Sequence, residues 1–287
     1  MKKLLLICAT ALFGFGQAHA QLDADDYGFL NHVSFGVSAG TTGIGFQLAA
    51  PLSASFAVRA GYSFMPKFKY SQNLNLDKGN LEAFNIGTKS NPNYVHDVDL
   101  EGKLNMGDFS VLFDWYPSKR SSFRFTAGAY FGKSDFITIT NKNAFMNLDY
   151  AGKAGIELSK KPSSPSEYNP AETYTIITDE QGNIDAKVKV NSFKPYIGIG
   201  FGRAVPRKRV GLQFDLGVQF WGKPELQTNL MYDEGGAVVT RYEKVQKGRI
   251  TRSNQDKDYK DLRDALKTAE AITVYPVMTL RLVGRVF

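Results

Sequence analysis

Pro195 to Trp221, PYIGIGFGRAVPRKRVGLQFDLGVQFW, is the stretch that decides the fold. In its second half Val210, Leu212, Phe214, Leu216, Val218 and Phe220 point one way, and Gly211, Gln213, Asp215, Gly217, Gln219 and Trp221 point the other. In its first half Ile197, Ile199 and Phe201 oppose Tyr196, Gly198, Gly200 and Gly202. Alternation with period two on both sides of a short turn predicts a β-hairpin. A soluble barrel or sandwich buries its bulky face and shows water a varied polar one. Here the second face is mostly glycine, with a few glutamines and a carboxylate. Such a face fits the crowded, polar interior of a small barrel, which leaves the Leu/Val/Phe face for lipid.

Working outward, the N-terminus reads MKKLLLICATALFGFGQAHA. Lys2 and Lys3 are a positive n-region, Leu4 to Phe15 an apolar h-region, and Ala18-His19-Ala20 a cleavage motif, so residues 1–20 are expected to be a signal peptide cut before Gln21. The apolar run is short of the roughly 20 residues a spanning helix needs. Cys8 is the only cysteine and falls inside that segment, so residues 21–287 carry no disulfide, thiolate nucleophile or cysteine metal site. The formal charge is +7, of which two lysines belong to the signal segment. The remaining basic residues are scattered among acids and form no nucleic-acid footprint. Low mean hydropathy beside 21 Phe and 27 Gly is the composition of a membrane β-barrel, whose apolar residues are dispersed on alternate positions.

The same pattern recurs along a single domain, 21–287. Strands are expected at 32–40, 43–50, 56–64, 109–115, 123–131, 195–202, 210–221 and 275–287, each with one bulky and one small or polar face. Val98, Leu100, Leu104 and Met106 fall on the opposite parity to Phe109, Val111 and Phe113, which predicts a bulge near Gly107 or a section above the membrane. Apart from the short connection between strands one and two, connections alternate between short turns and segments tens of residues long, the layout of an outer-membrane barrel with periplasmic turns and extracellular loops. A hairpin is expected around 179–183, and a helix over Gln255–Ala271 from the spacing of Tyr259, Leu262, Leu266 and Ala269. The fold class is therefore all-β: a closed antiparallel up-and-down transmembrane β-barrel of eight strands, with short periplasmic turns, long extracellular loops and one loop helix. Hairpins near 176–190 and 229–242 would raise the count to about ten or twelve if they crossed the membrane, but they carry charges and lack the Gly-rich face. Strands five and six are expected to run on past the membrane through Phe136–Thr140 and from Ile184, giving a sheet and large loops outside that bind a partner or solute.

Energetics favour lipid over water for the bulky face. At roughly 25 cal/mol per Å² of apolar surface, wetting such a band would be prohibitive, and closure removes the sheet edges that lipid cannot satisfy. An eight-stranded barrel is only wide enough for its own side chains. Arg59, Asp114, Arg124, Asp215, Arg281 and Arg285 are therefore expected to share the interior as an ion-paired network, structural rather than a permeation pathway, beside Gln47, Gln213 and Gln219. Phe56, Trp115, Phe123 and Phe201 near the short turns, and Phe64, Phe131, Phe220 and Tyr275 near the long loops, would form two aromatic girdles.

With the signal peptide, Phe109-Ser-Val-Leu-Phe-Asp-Trp-Tyr-Pro117, Pro195-Tyr-Ile-Gly-Ile-Gly-Phe-Gly202 and the terminal Phe287, the chain resembles small bacterial outer-membrane β-barrel proteins of the OmpA/OmpX/OmpW-like kind. The resemblance implies the cell outer membrane as location, its lipid and the barrel assembly machinery as partners, and a non-enzymatic structural, surface-binding or narrow-channel role. Here Arg285, Val283 and Arg281 share the parity of Phe287, where the family usually has aromatic and apolar residues. The alternatives are a barrel hydrolase of lipid or peptide, with His96 on the loop side as its base, and a small-solute porin. No serine partner is fixed for His96, and His32 lies at the other rim. No catalytic, metal-ligating or cofactor-binding motif appears.

Overall fold

The computed structural model describes residues 22–23, 26–66, 68–75, 82–153, 155–159, 173–234, 237–245, 267–268 and 270–286. Eight strands close into an antiparallel barrel: β1 (Ser34–Gly40), β2 (Gly43–Pro51), β3 (Phe56–Phe64), β6 (Gly107–Trp115), β7 (Phe123–Gly132), β12 (Phe193–Phe201), β13 (Val210–Phe220) and β16 (Val274–Arg285). Their order around the wall is β1-β16-β13-β12-β7-β6-β3-β2, each strand lying beside its neighbour in the barrel sequence, and β1 closes on β16 from Ser34↔Arg285 to Gly40↔Thr279. That register turns Met278, Leu280 and Leu282 outward and buries Arg281 and Val283, so the parity of the last strand holds inside the barrel. The signal segment and Phe287 lie outside the described residues.

The remaining strands build a second sheet above the long-loop rim. They are β4 (Lys69–Asn75), β5 (Asp97–Leu104), β8 (Asp135–Asn141), β9 (Gly155–Ser159), β10 (Thr173–Ile177), β11 (Ala186–Lys189), β14 (Glu225–Glu234) and β15 (Ala237–Lys244). β4, β5, β8, β11 and β14 extend barrel strands β3, β6, β7, β12 and β13, and they keep the same neighbours. The wall thus continues well past the roughly ten residues a membrane strand needs. The expected extensions of strands five and six are β8 and β11, which pair with each other.

One expectation is corrected by the pairing of the upper strands. The segment 179–183 does make a turn, with Asp179 N–H donating to Asn183 O at 2.8 Å, but β10 and β11 on either side of it do not pair with each other. Both lie along one edge of β14, opposite Leu230–Tyr232 and Glu225–Thr228 respectively, while β15 occupies the other edge. The hairpin near 229–242 exists as β14 and β15, in the upper sheet and not in the barrel. The helix expected over 255–271 falls largely outside the described residues; Lys267, Thr268, Glu270 and Ala271 at its end are helical.

The parity change at Gly107 has a physical cause. In β6 the odd residues are the apolar ones and face out, with Phe109, Phe113 and Trp115 about half exposed. In β5, on the same chain a few residues earlier, the odd residues are Asp97, Asp99, Glu101 and Lys103. The even series stays inward throughout, from Val98 (2% exposed) to Asp114 (1%), so no bulge is needed in this strand. Above Gly107 the inward face is apolar: Leu104, Ile137, Val188 and Leu226 lie side by side across four strands. Val98 packs with Phe145 and Met146, and Phe84, Val95, Leu100 and Ile184 close around them. The upper half is thus built for water, apolar in and charged out, and the lower half is the reverse.

On this arrangement, Val111→Arg at mid-strand of β6 should cost about 2–4 kcal/mol in equilibrium refolding into lipid vesicles. Lys103→Arg, on the same face but above Gly107, should change stability by less than about 0.5 kcal/mol.

Candidate functional site

Inward positions of β3, β6, β7, β13 and β16 converge at one level of the barrel. Asp215 accepts from three guanidinium groups: Arg59 Nη1 at 3.0 Å, Arg124 Nη2 at 2.6 Å and Arg281 Nη1 at 2.7 Å. Asp114 takes a second Arg59 contact at 2.8 Å and the Thr126 hydroxyl at 2.7 Å, with Arg124 Nε 3.4 Å from its other oxygen. Arg281 also donates to Gln213 Oε1 at 3.1 Å. All five charged side chains are nearly or completely buried. Three cations against two anions leave one positive charge, and Arg124 Nη1 meets it by donating to the carbonyls of Phe201 and Gly202.

Glycines make the space. A Cβ at Gly200 would stand 2.9 Å from Arg124 Cζ, and one at Gly198 or Gly217 would come within 2.5 Å of the Tyr196 hydroxyl. The structure therefore gathers Arg59, Asp114, Arg124, Asp215 and Arg281. Arg285 is placed elsewhere: at the short-turn rim, where its Nη1 donates to Arg207 O at 3.0 Å. Arg285 is the last residue of β16, beside Ser34 and four residues past Arg281, which puts it about 13 Å along the strand from the level of Asp215.

Above the charged layer Leu112, Tyr130, Tyr196 and Val277 pack across the bore. Asp108 and Lys194 pair there at 2.6 Å, both nearly fully buried. Trp221, Tyr275 and Phe136 stack at the long-loop end, with ring centroids 4.7 Å apart for Trp221–Tyr275 and for Trp221–Phe136. Tyr275 thus belongs to this interior stopper and not to a girdle, its hydroxyl donating to Thr41 O at 2.7 Å. Its odd parity in β16, shared with Val277 and Arg281, already marks it as inward.

Below the charged layer is a feature the sequence did not reveal. The turn Arg203–Arg209, expected as one of the short periplasmic turns, folds partly into the mouth: Ala204 and Val205 are 0% and 2% exposed. Inward side chains satisfy its backbone, with Ala204 N–H donating to Tyr116 Oη at 2.8 Å and the Ser34 and Tyr27 hydroxyls donating to Ala204 O and Val205 O. Arg203 lies between the rings of Tyr27 and Tyr116, 4.3 and 4.4 Å away. Its guanidinium donates to Lys119 O and Ala54 O, tying three short turns together. A turn arginine flanked by aromatics distant in sequence has no periodic signature.

His96, the residue before β5, is exposed, and among the described residues no hydrogen bond joins it to a serine. Also among those residues, no group of three His, Cys, Asp or Glu side chains could hold a metal. In the upper sheet Lys69 Nζ donates to Glu101 at 2.8 Å and holds its carboxyl below the usual range. Desolvation pushes the Tyr242 hydroxyl up to about 12, with Asp185 and Asp135 adding to the shift.

No family model and no curated protein matches the chain. Two solved structures are similar along most of it. One is Acinetobacter baumannii CarO, at 15% identity and a TM-score of 0.42, covering 90% of this chain and 99% of that one. The other is CarO2 of the same organism, at 14% and 0.41, covering 88% and 98%. Likeness at this level adds nothing to what the barrel's own residues say.

Asp215→Asn should be the most damaging single change in the cluster, since it leaves three buried guanidiniums with Asp114 as the cluster's one carboxylate, and Arg281 out of contact with it. A loss of about 3–5 kcal/mol is expected, read as a lower urea midpoint for the shift between folded and unfolded gel mobilities. Arg285→Gln should shift that midpoint far less.

Proposed function

We propose that this chain is an integral outer-membrane protein of Gram-negative type, delivered by a signal peptide cleaved before Gln21, with a closed barrel as its anchor. Its role is non-enzymatic, and the upper sheet with its loops is the part that meets partners outside the cell. The observation that carries this reading is the reversal of the apolar face along one continuous stretch, Asp97 to Trp115. A strand in water alone would keep its apolar side on the core, and a strand in lipid alone would keep it on the outside. A reversal at Gly107 marks the level at which one solvent replaces the other.

The filled bore favours anchor over channel. Charged, tyrosine and aromatic layers succeed one another from mouth to mouth, and the β12–β13 turn enters from below. Each buried charge is held by partners whose loss would leave it unpaired, so no member of the cluster is free to carry an ion.

The protein should stay with membranes through salt and alkaline washing, require detergent for release, and migrate differently on gels before and after boiling. Release without detergent would sink the reading. In planar bilayers the folded protein should give no steady conductance steps; a reproducible open level would restore the porin alternative.

A further inference from the structure

The outer wall of the barrel is not evenly covered. On β7 the outward series runs Phe123, Phe125, Ala127, Ala129, Phe131, so two small residues sit between aromatics. Phe113 and Ile197 lie directly beside Ala127 on the neighbouring strands, and Trp115 and Ile199 lie beside Phe125. The result is a trench of about 670 Å³ on the wall, floored by Ala127 and the backbone of Gly198 and walled by Phe113, Trp115, Ile199 and Leu216. Its lining side chains are apolar almost throughout, and Asp114 and Thr126 beneath it are turned into the bore.

The strands that flank the trench end in the two basic turns. The β6–β7 turn carries exposed Lys119 and Arg120, and the β12–β13 turn carries Arg207, exposed Lys208 and Arg209; neither turn contains an acid. Arg207 Nη2 donates to Lys119 O at 3.1 Å, so the two turns stand side by side under the trench. The acids described at this rim are Asp23 and Asp26 in the lead-in, and Asp26 accepts from the Asp23 backbone N–H. Ala127 is about five residues from the turn, on the order of 16 Å along a strand, which is within the reach of one acyl chain.

We propose that the trench seats an acyl chain of an anionic phospholipid of the periplasmic leaflet, with its headgroup phosphate on Arg120 and Lys208. The site rests on the membrane reading above. A wall groove with a basic rim at one end matches a molecule that is apolar along its length and anionic at its tip. A second copy of the chain would bring its own basic turns to the same rim, where like charges repel.

Phosphatidylglycerol and phosphatidylcholine are the probes, offered in equal amounts to the detergent-purified full-length protein, with retained lipid counted by native mass spectrometry. The wild type should retain phosphatidylglycerol in preference to phosphatidylcholine. Arg120→Gln/Lys208→Gln should reduce that preference at least about tenfold. Ala127→Phe, which fills the trench from the lipid side, should lose retained lipid of both kinds while keeping its heat-modifiable barrel. Retention by Ala127→Phe equal to the wild type, no headgroup preference in the wild type, or a dimer abolished by Ala127→Phe would each overturn the site. Flotation with vesicles is read in parallel: a wild-type protein that floats but shows no preference sinks the lipid site alone, and one that fails to float sinks the membrane reading itself.

Discussion

Asp215 is the group on which the interior depends. A bore eight strands wide has no room for bulk water, so every charge inside must be neutralised by protein. One carboxylate facing three guanidiniums can do this only if Arg59, Arg124 and Arg281 arrive at one level from β3, β7 and β16. The strand register sets that convergence, and the glycines of β12 and β13 leave space for it. The cluster and the lower plug are also coupled: the positive charge left over by two aspartates is taken up by carbonyls at the end of β12. Drawing Phe201 O and Gly202 O toward Arg124 brings the start of the β12–β13 turn inward, and Ala204 and Val205 follow it into the mouth.

Outside the bore a second constraint operates. The strands are longer than a membrane is thick, so the same pleated wall must satisfy lipid below and water above. Side chains can meet both conditions only by exchanging faces. β6 and β5 do so by changing which parity is apolar, with no break in the even inward series. Their neighbours change register where the sheets meet, as between Val188 and Lys189 against β8. The loops before β5 and after β8 then supply Phe84, Val95, Phe145 and Met146 as a core for the upper sheet.

Much of this was legible in the sequence, for a reason specific to barrels. Period-two alternation reports a face directly, so all eight membrane strands, the inward position of Asp215 and the parity break at Gly107 could be read from residue order alone. What could not be read depends on contacts far apart in the chain. The turn at 179–183 has ordinary turn chemistry, yet its flanking strands take β14 as partner, a choice no local pattern encodes. Arg203 among Tyr27 and Tyr116 is invisible for the same reason. Arg285 and Tyr275 are a different case: Arg285 was expected in the network but lies too far along the strand and reaches only the rim, and Tyr275, expected in the outer girdle, shares the inward parity of Val277 and closes the top.

The interior and the wall together constrain where function can reside. In a bore packed with paired charges, buried tyrosines and a stacked Trp221–Tyr275–Phe136 stopper, a path for a solute would require separating buried ion pairs at a cost of several kcal/mol each. The upper sheet carries its own apolar core and turns Asp97, Asp99, Glu101, Lys103, Lys187 and Lys189 outward, a mixed-charge surface with no need of the membrane for its solubility. The barrel carries that surface on strands that continue its own wall, β3, β6, β7, β12 and β13 running on into β4, β5, β8, β11 and β14.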